Sequence, residues 1–359
     1  MPPPDFQALT ASLKTWAAEL DFADCRVSDG SLGEHAARLD QWLADGMHGE
    51  MDWMPRHANL RKDVDQLVPG TRRVISVRMD YLSDSHDAMQ RCLDDPARAY
   101  VSRYALGRDY HKLMRKRLVT LGNRLREAAG DLGYRALVDS APVMEKALAM
   151  RAGLGWIGKH SNLINAQAGS WFFLGELFTD LPLEVDAPQP QSHCGSCTAC
   201  LPACPTGAIV APYKVDARKC LSYLTIELDG AIPLEYRKAL GNRIYGCDDC
   251  QLVCPWNKFA APTPVTDFKP RHALDTATLV ELFAWTEAEF LIRFEGSPIR
   301  RIGYRNWLRN LAVALGNAPS TDDTIGALRT RAGSEDAIVA EHVAWALAQH
   351  GASEPDTRA

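Results

Sequence analysis

The chain has 359 residues, enough for two or three domains at about 150 residues each and for a sizeable buried core. A composition of 46% hydrophobic, 24% charged and 8% aromatic residues excludes a disordered, collagenous or fibrous protein. Forty Lys and Arg against 45 Asp and Glu leave a net charge of −5, so any contact with nucleic acid has to come from a local basic surface. The opening MPPPDFQALTASLKTW lacks the basic start and apolar run of a secretory signal, and no apolar stretch of about 18 residues occurs. A cytoplasmic protein with no membrane partner is expected.

In chain order, LTASLKTWAAEL carries apolar residues at helical spacing, and TRRVISVRMDYL, after Pro69-Gly70, reads as a strand rich in Val and Ile. KLMRKRLVTLGNRLREAAGDLGY is a long amphipathic helix ending at Gly130 or Gly133, and YRALVDSAP is a strand followed by a turn. PVMEKALAMRA reads as a helix. It leads into GLGWIG, Gly153 to Gly158, which matches the G-x-G-x-x-G of dinucleotide sites but lacks the strand that must precede it. A helix C-cap and a tight loop account for these glycines better. WFFLGELF is a further strand, and the alternation of helix and strand predicts α/β layers. From Leu181 to Gln191 the chain turns proline-rich and reads as a linker. After the cysteine region comes a second proline-containing stretch, AAPTPVTDFKP, and then the helical segments LVELFAWTEAEFLIRF, YRNWLRNLAVALGNA and AIVAEHVAWALAQHG. LAVALGN at Leu311 and VAWALAQ at Val343 share a pattern 32 residues apart, which suggests stacked helix pairs of the HEAT kind.

The ten cysteines are unevenly spread: Cys25 and Cys92 stand alone and eight fall between Cys194 and Cys254. In a reducing compartment such clustering points to metal or cofactor ligation rather than disulfides. Cys194, Cys197, Cys200 and Cys204 form C-x2-C-x2-C-x3-C-P, the run that wraps an iron–sulfur cube and directs its fourth thiolate to a second cluster. A structural zinc site needs only two C-x2-C pairs. Cys247, Cys250 and Cys254 form a shortened second copy, with Ile244 where a further thiolate would stand, and Cys220 can supply that ligand. Crossed ligation then gives one [4Fe–4S] cluster Cys194, Cys197, Cys200 and Cys254, and the other Cys204, Cys220, Cys247 and Cys250. Two adjacent clusters make a short electron wire.

Asp139 ends an apparent strand, where apolar surroundings would raise its pKa and suit it to proton donation; a turn or cap role is the plainer alternative. Arg61, in NLRKDVDQLVPG, is by default a solvated loop arginine. Two basic surfaces fit an RNA backbone. The helix from Lys112 to Arg126 carries six basic residues, and RRIGYRNWLRN presents Arg300, Arg301, Arg305 and Arg309 with Tyr304 and Trp307 between them.

GRDYHKLMRKRL, LVDSAP followed by EKALAMRAGLGWIGKHSNLI, GSWFFLGEL, both cysteine runs and GNRIYGCDDCQLVCPWNK together resemble the epoxyqueuosine reductases over nearly the whole chain. These enzymes complete queuosine at the wobble position of tRNA and are related to corrinoid-dependent reductive dehalogenases. The resemblance implies an α/β cobalamin-binding catalytic domain over 1–183, a ferredoxin-like domain with two [4Fe–4S] clusters over 184–265 and an all-α HEAT-like domain over 266–359. It implies that cobalamin sits between the first two domains and that Asp139 is the proton donor. The positions matching corrinoid contacts are Arg61, Ser102, Asp139, Leu163, Ser170, Leu174, Ser222 and, in the Cys247–Cys250 loop, Asp248. The substrate would be tRNA carrying epoxyqueuosine, the electrons would come from an external donor, and a monomer is the default. Reductive dehalogenation of a small molecule and non-catalytic electron transfer are the alternatives.

Overall fold

The computed structural model describes residues 5–130, 132–189 and 192–352; Pro190 and Gln191, at the end of the expected linker, lie outside them. Four strands form one sheet in the order Asp24–Ser28, Arg73–Asp80, Phe172–Thr179, Tyr134–Leu137. Every neighbouring pair is antiparallel, with Ser76 and Leu137 both in register with Glu176. The alternation of helix and strand thus produces layers without a parallel sheet.

Side chains alternate across the strands. Ile75, Val77, Met79 and Leu177 face one way, toward the helices Phe6–Glu19 and Tyr110–Ala129, which contribute Leu13, Met114, Leu118 and Leu121 to the same core. Val74 and Phe178 face the other way, onto Leu148 of the helix Glu145–Ala152. The long helix is capped by the Asp109 side chain, which accepts from the His111 backbone N–H, and it ends at Gly130 with φ of 90°. The helix Glu145–Ala152 ends at Gly153 in the left-handed conformation, so GLGWIG follows a helix and opens onto a two-residue strand, Trp156–Ile157, instead of a nucleotide-binding helix.

LVELFAWTEAEFLIRF is two short helices, Leu279–Phe283 and Glu287–Arg293, because each has its own capping box, Thr278 with Glu281 and Thr286 with Glu289. The helices Gly303–Asn317 and Ala337–Gln349 pack closely: a side chain at Gly316 would meet Trp345 at 2.6 Å. Leu311, Leu315, Val343 and Leu347 are buried there. The same apolar core takes in Val101, Leu106, Leu221, Leu224 and Ile244, so packing is continuous across residues 183 and 265. Within the described residues no helix is long and apolar enough to cross a membrane.

Candidate active site

A cavity of about 950 Å³ lies against the sheet face that carries Phe172 and Leu174. Asp139, two residues past the strand Tyr134–Leu137, lies in its wall. So do Arg61, Ser102, Leu163, Ser170, Ser222 and Asp248: chain segments scattered from residue 61 to residue 248 meet around one space. Cys204, Cys220, Cys247 and Cys250 line the same cavity. Cys194, Cys197, Cys200 and Cys254 line a second, smaller one with Trp256. All ten cysteines are free thiols.

Sequence reasoning expects Asp139 to be desolvated by apolar neighbours, but its side chain is 37% exposed and held by two donors. The Tyr110 hydroxyl donates to one carboxylate oxygen, and His111 Nε2 lies 2.6 Å from the other. His111 Nδ1 is in turn 2.6 Å from Asp109. Burial alone would lower the pKa of His111, but the hydrogen bonds to Asp109 and Asp139 outweigh it and push it up to about 10. The imidazole is therefore a cation at neutral pH, clamped between two carboxylates. Tyr110 stacks on Phe173 with ring centroids 3.8 Å apart, which fixes its hydroxyl. Spacing does not single out Tyr110 or His111, although both lie in the GRDYH motif; the local signal is the Asp109 cap, which sets both in a helix's first turn.

Two more carboxyl groups stand nearby. Glu145 lines the cavity, and burial, with the Asp139 charge adding to it, raises its pKa to about 8. Glu176, on the same sheet face as Leu174, is fully buried with neither oxygen partnered among the described residues, and burial pushes its pKa well up. Arg61 stacks over Trp53 at 5.1 Å, reaches the Val143 carbonyl and faces Glu145, so it is a partly buried wall residue rather than a solvated one. Asp248 is buried and accepts from the Tyr100 hydroxyl at 2.9 Å, the Ser102 hydroxyl at 2.5 Å and the Arg103 N–H at 2.9 Å. Its carboxylate is thus a tie between the cysteine loop and the segment at residue 100. Ser170 is held by Asn257 and Gln251.

The basic residues divide. Arg300 is exposed. Arg301 stands at the cavity and pairs with both oxygens of Glu227, at 2.7 and 2.9 Å. Arg305 pairs with Asp229. Arg309 departs from expectation: it is 0% exposed, and its guanidinium donates to the carbonyls of Leu224, Leu228 and Gly230 and to Asn310 Oδ1. It cannot reach a phosphate. On the long helix, Arg117 pairs with Asp21 and Arg124 with Glu19, while Arg115 and Lys116 are exposed.

Residues 193–257 match the family model "4Fe-4S double cluster binding domain", and residues 61–140 match "Epoxyqueuosine reductase QueG, DUF1730". The chain is 59% identical over 349 residues to an epoxyqueuosine reductase of Pseudomonas aeruginosa, covering 97% of this chain and 96% of that one. It is 55% identical over 347 residues to one of Escherichia coli, covering 97% and 91%. A crystal structure of an epoxyqueuosine reductase with an epoxyqueuosine-modified tRNA-Tyr stem loop has a TM-score of 0.87 at 29% identity, covering 96% of this chain and 90% of that one. A Bacillus subtilis epoxyqueuosine reductase, solved with its catalytic aspartate loop swung out of the active site, has a TM-score of 0.84 at 28% identity with the same coverage.

Proposed function

The chain belongs to the epoxyqueuosine reductase family, and from that premise we propose that it reduces epoxyqueuosine to queuosine at the wobble position of tRNA, the last step in making that nucleoside, using cobalamin and two [4Fe–4S] clusters. The observation that carries the reading is one cavity with the Asp139 carboxyl group, backed by His111 and Tyr110, in its wall and four thiols beside it. Its volume lies at the top of the usual range for ligand sites. Its wall mixes Phe172, Phe173 and Leu174 with serine hydroxyls, which fits a large macrocycle fringed with amides. Arg61, Ser102, Leu163, Ser170, Leu174, Ser222 and the Asp248 loop would hold it. The separation of the thiols into two fours supports the crossed ligand sets.

Cobalamin held in this cavity would supply a reducing cobalt centre, and clusters held by the two sets of four thiols would supply one-electron transfer from an external donor. Asp139 takes a proton from the His111 imidazolium, 2.6 Å behind it, and passes it to the epoxide oxygen as the C–O bond breaks, since an unprotonated alkoxide leaves poorly. Two electrons and two protons convert the epoxide to the alkene and water. Tyr110 holds the carboxyl group in its orientation.

The helices after residue 266 act as a HEAT-like support, and Arg300, Arg301 and Arg305 meet tRNA phosphates, the last two by exchanging their carboxylate partners. The anticodon base must be extruded to reach the cavity. The enzyme works as a cytoplasmic monomer. The test is anaerobic reconstitution with iron, sulfide and cobalamin, then assay on an anticodon stem loop carrying epoxyqueuosine. Alkene product with about eight irons and bound corrinoid supports the reading. Full iron without corrinoid retention reduces the protein to an electron carrier.

A further inference from the structure

The glycine loop that fails as a nucleotide site has another task. A side chain at Gly155 would meet the Ile164 carbonyl at 2.1 Å, and one at Gly158 would meet Ile164 at 2.5 Å and the His160 ring at 3.1 Å. The two glycines let the loop close tightly, and Gly158 seats the imidazole of His160. That ring is only 5% exposed and belongs to the walls of both cavities, the large one and the one lined by Cys194, Cys197, Cys200 and Cys254.

His160 Nδ1 accepts the backbone N–H of Asn162 at 3.1 Å, so the ring hydrogen resides on Nε2. Burial, with Lys146 adding to it, pushes the pKa down to about 4 and keeps the ring neutral. Nε2 is buried and has no partner among the described residues. A buried N–H without an acceptor costs about 1–3 kcal/mol, so an acceptor in the adjoining space is called for. The smaller cavity is lined by four thiols, apolar side chains and Lys159, whose Nζ donates to the carbonyls of Gly195 and Cys197.

We propose that His160 Nε2–H donates a hydrogen bond to a sulfur of the cluster held by Cys194, Cys197, Cys200 and Cys254, and thereby raises that cluster's reduction potential. This rests on the crossed ligand sets above. Reduction adds negative charge to the cluster, and a donor aimed at its sulfur stabilises the reduced state more than the oxidised one. Cys197 is exposed, whereas the other four thiols line the substrate cavity. The hydrogen bond therefore favours electron uptake at the surface cluster, the one an external donor can reach.

The experiment is a redox titration of iron- and sulfide-reconstituted full-length protein, followed by electron paramagnetic resonance. A soluble paramagnetic chelate identifies the exposed cluster by broadening its signal. His160→Phe should lower the midpoint of that cluster alone, by about a tenfold loss in its reduction equilibrium, or about 59 mV for one electron. His160→Gln, which retains a donor, should restore most of the shift. Full iron with unmoved midpoints, or a shift in the cobalt couple instead, overturns the proposal. Fewer than about eight irons in the unaltered chain overturns the ligand sets beneath it. Should His160→Phe fail to hold iron, the readout is pulsed resonance on 15N-histidine protein in which His193, the neighbour of Cys194 in the chain, is replaced by Gln: a nitrogen coupling to the exposed cluster upholds the bond, and none refutes it.

Discussion

The His111 imidazolium spans Asp109 and Asp139, donating one N–H to each across 2.6 Å. Asp139→Asn keeps that geometry but removes the acid, so turnover should fall at least ~100-fold while iron and corrinoid content stay at wild-type levels. Near-normal turnover would take Asp139 out of the role. His111 carries a pH signature as well. Its folded pKa of about 10 lies above the ordinary 6.5, so the folded state binds this proton more tightly. The stability it contributes is complete below pH 6.5 and is lost as pH rises through about 10. Urea unfolding of wild type and His111→Gln should therefore show a gap that is widest at pH 6 and shrinks toward pH 10.5; a constant gap would mean that the imidazolium is not the source. At this scale the sequence is uneven as a guide. Cysteine spacing singles out seven of the eight clustered thiols and leaves Cys220 to be supplied from outside the runs; the fold gathers the eight as two groups of four around two cavities. Glu176 is invisible, because a Glu inside the apolar run FFLGELF gives no sign of which face it takes or what lies beside it.

Among the elements, the helix Gly303–Asn317 shows how spacing can mislead. Arg305 and Arg309 are four apart and so share a face, and both read as phosphate contacts. The segment 224–230 covers that face one turn along, so Arg305 stays at the edge beside Asp229 while Arg309 is enclosed. A sequence reports periodicity but not what roofs it. Arg309→Ala would strip three carbonyls of their donor, at about 1–3 kcal/mol each. It should lower unfolding free energy by at least ~3 kcal/mol without changing the tRNA affinity of the molecules that remain folded; weakened binding at unchanged stability would return Arg309 to the interface. Elsewhere the pattern narrows the answer: of Gly130 and Gly133, the helix Tyr110–Ala129 ends at Gly130, where the chain takes a positive φ. Strand direction was not legible, since burial makes Phe172–Thr179 apolar on both faces whether its neighbours run parallel or antiparallel.

For the molecule as a whole, a net charge of −5 leaves tRNA binding to a few local cations. Replacing Arg300 by Ala should weaken stem-loop binding and reduce the slope of affinity against salt by about 1. Arg301→Ala should do the same and also free Glu227 at the cavity, so its loss should be the larger. An unchanged salt slope in both would assign this surface to solvent. The change in sequence character near residues 183 and 265 is legible from proline and cysteine, but the core that runs beneath both boundaries is not, because Leu106, Ile244 and Leu311 are far apart in the chain.

That interleaving bears on how the enzyme is made. Ser102 and Asp248, whose hydrogen bond closes the cavity wall, are 146 residues apart in the chain. On a ribosome adding 5–20 residues per second, the earlier segment waits roughly 7–30 s for its partner. Until then the buried surface around Tyr100 and Val101 is bare and open to chaperones or to aggregation. With the proposed ligand sets, the cluster beside the cavity waits for Cys250 and the other for Cys254, so the cavity wall can be completed only late in synthesis.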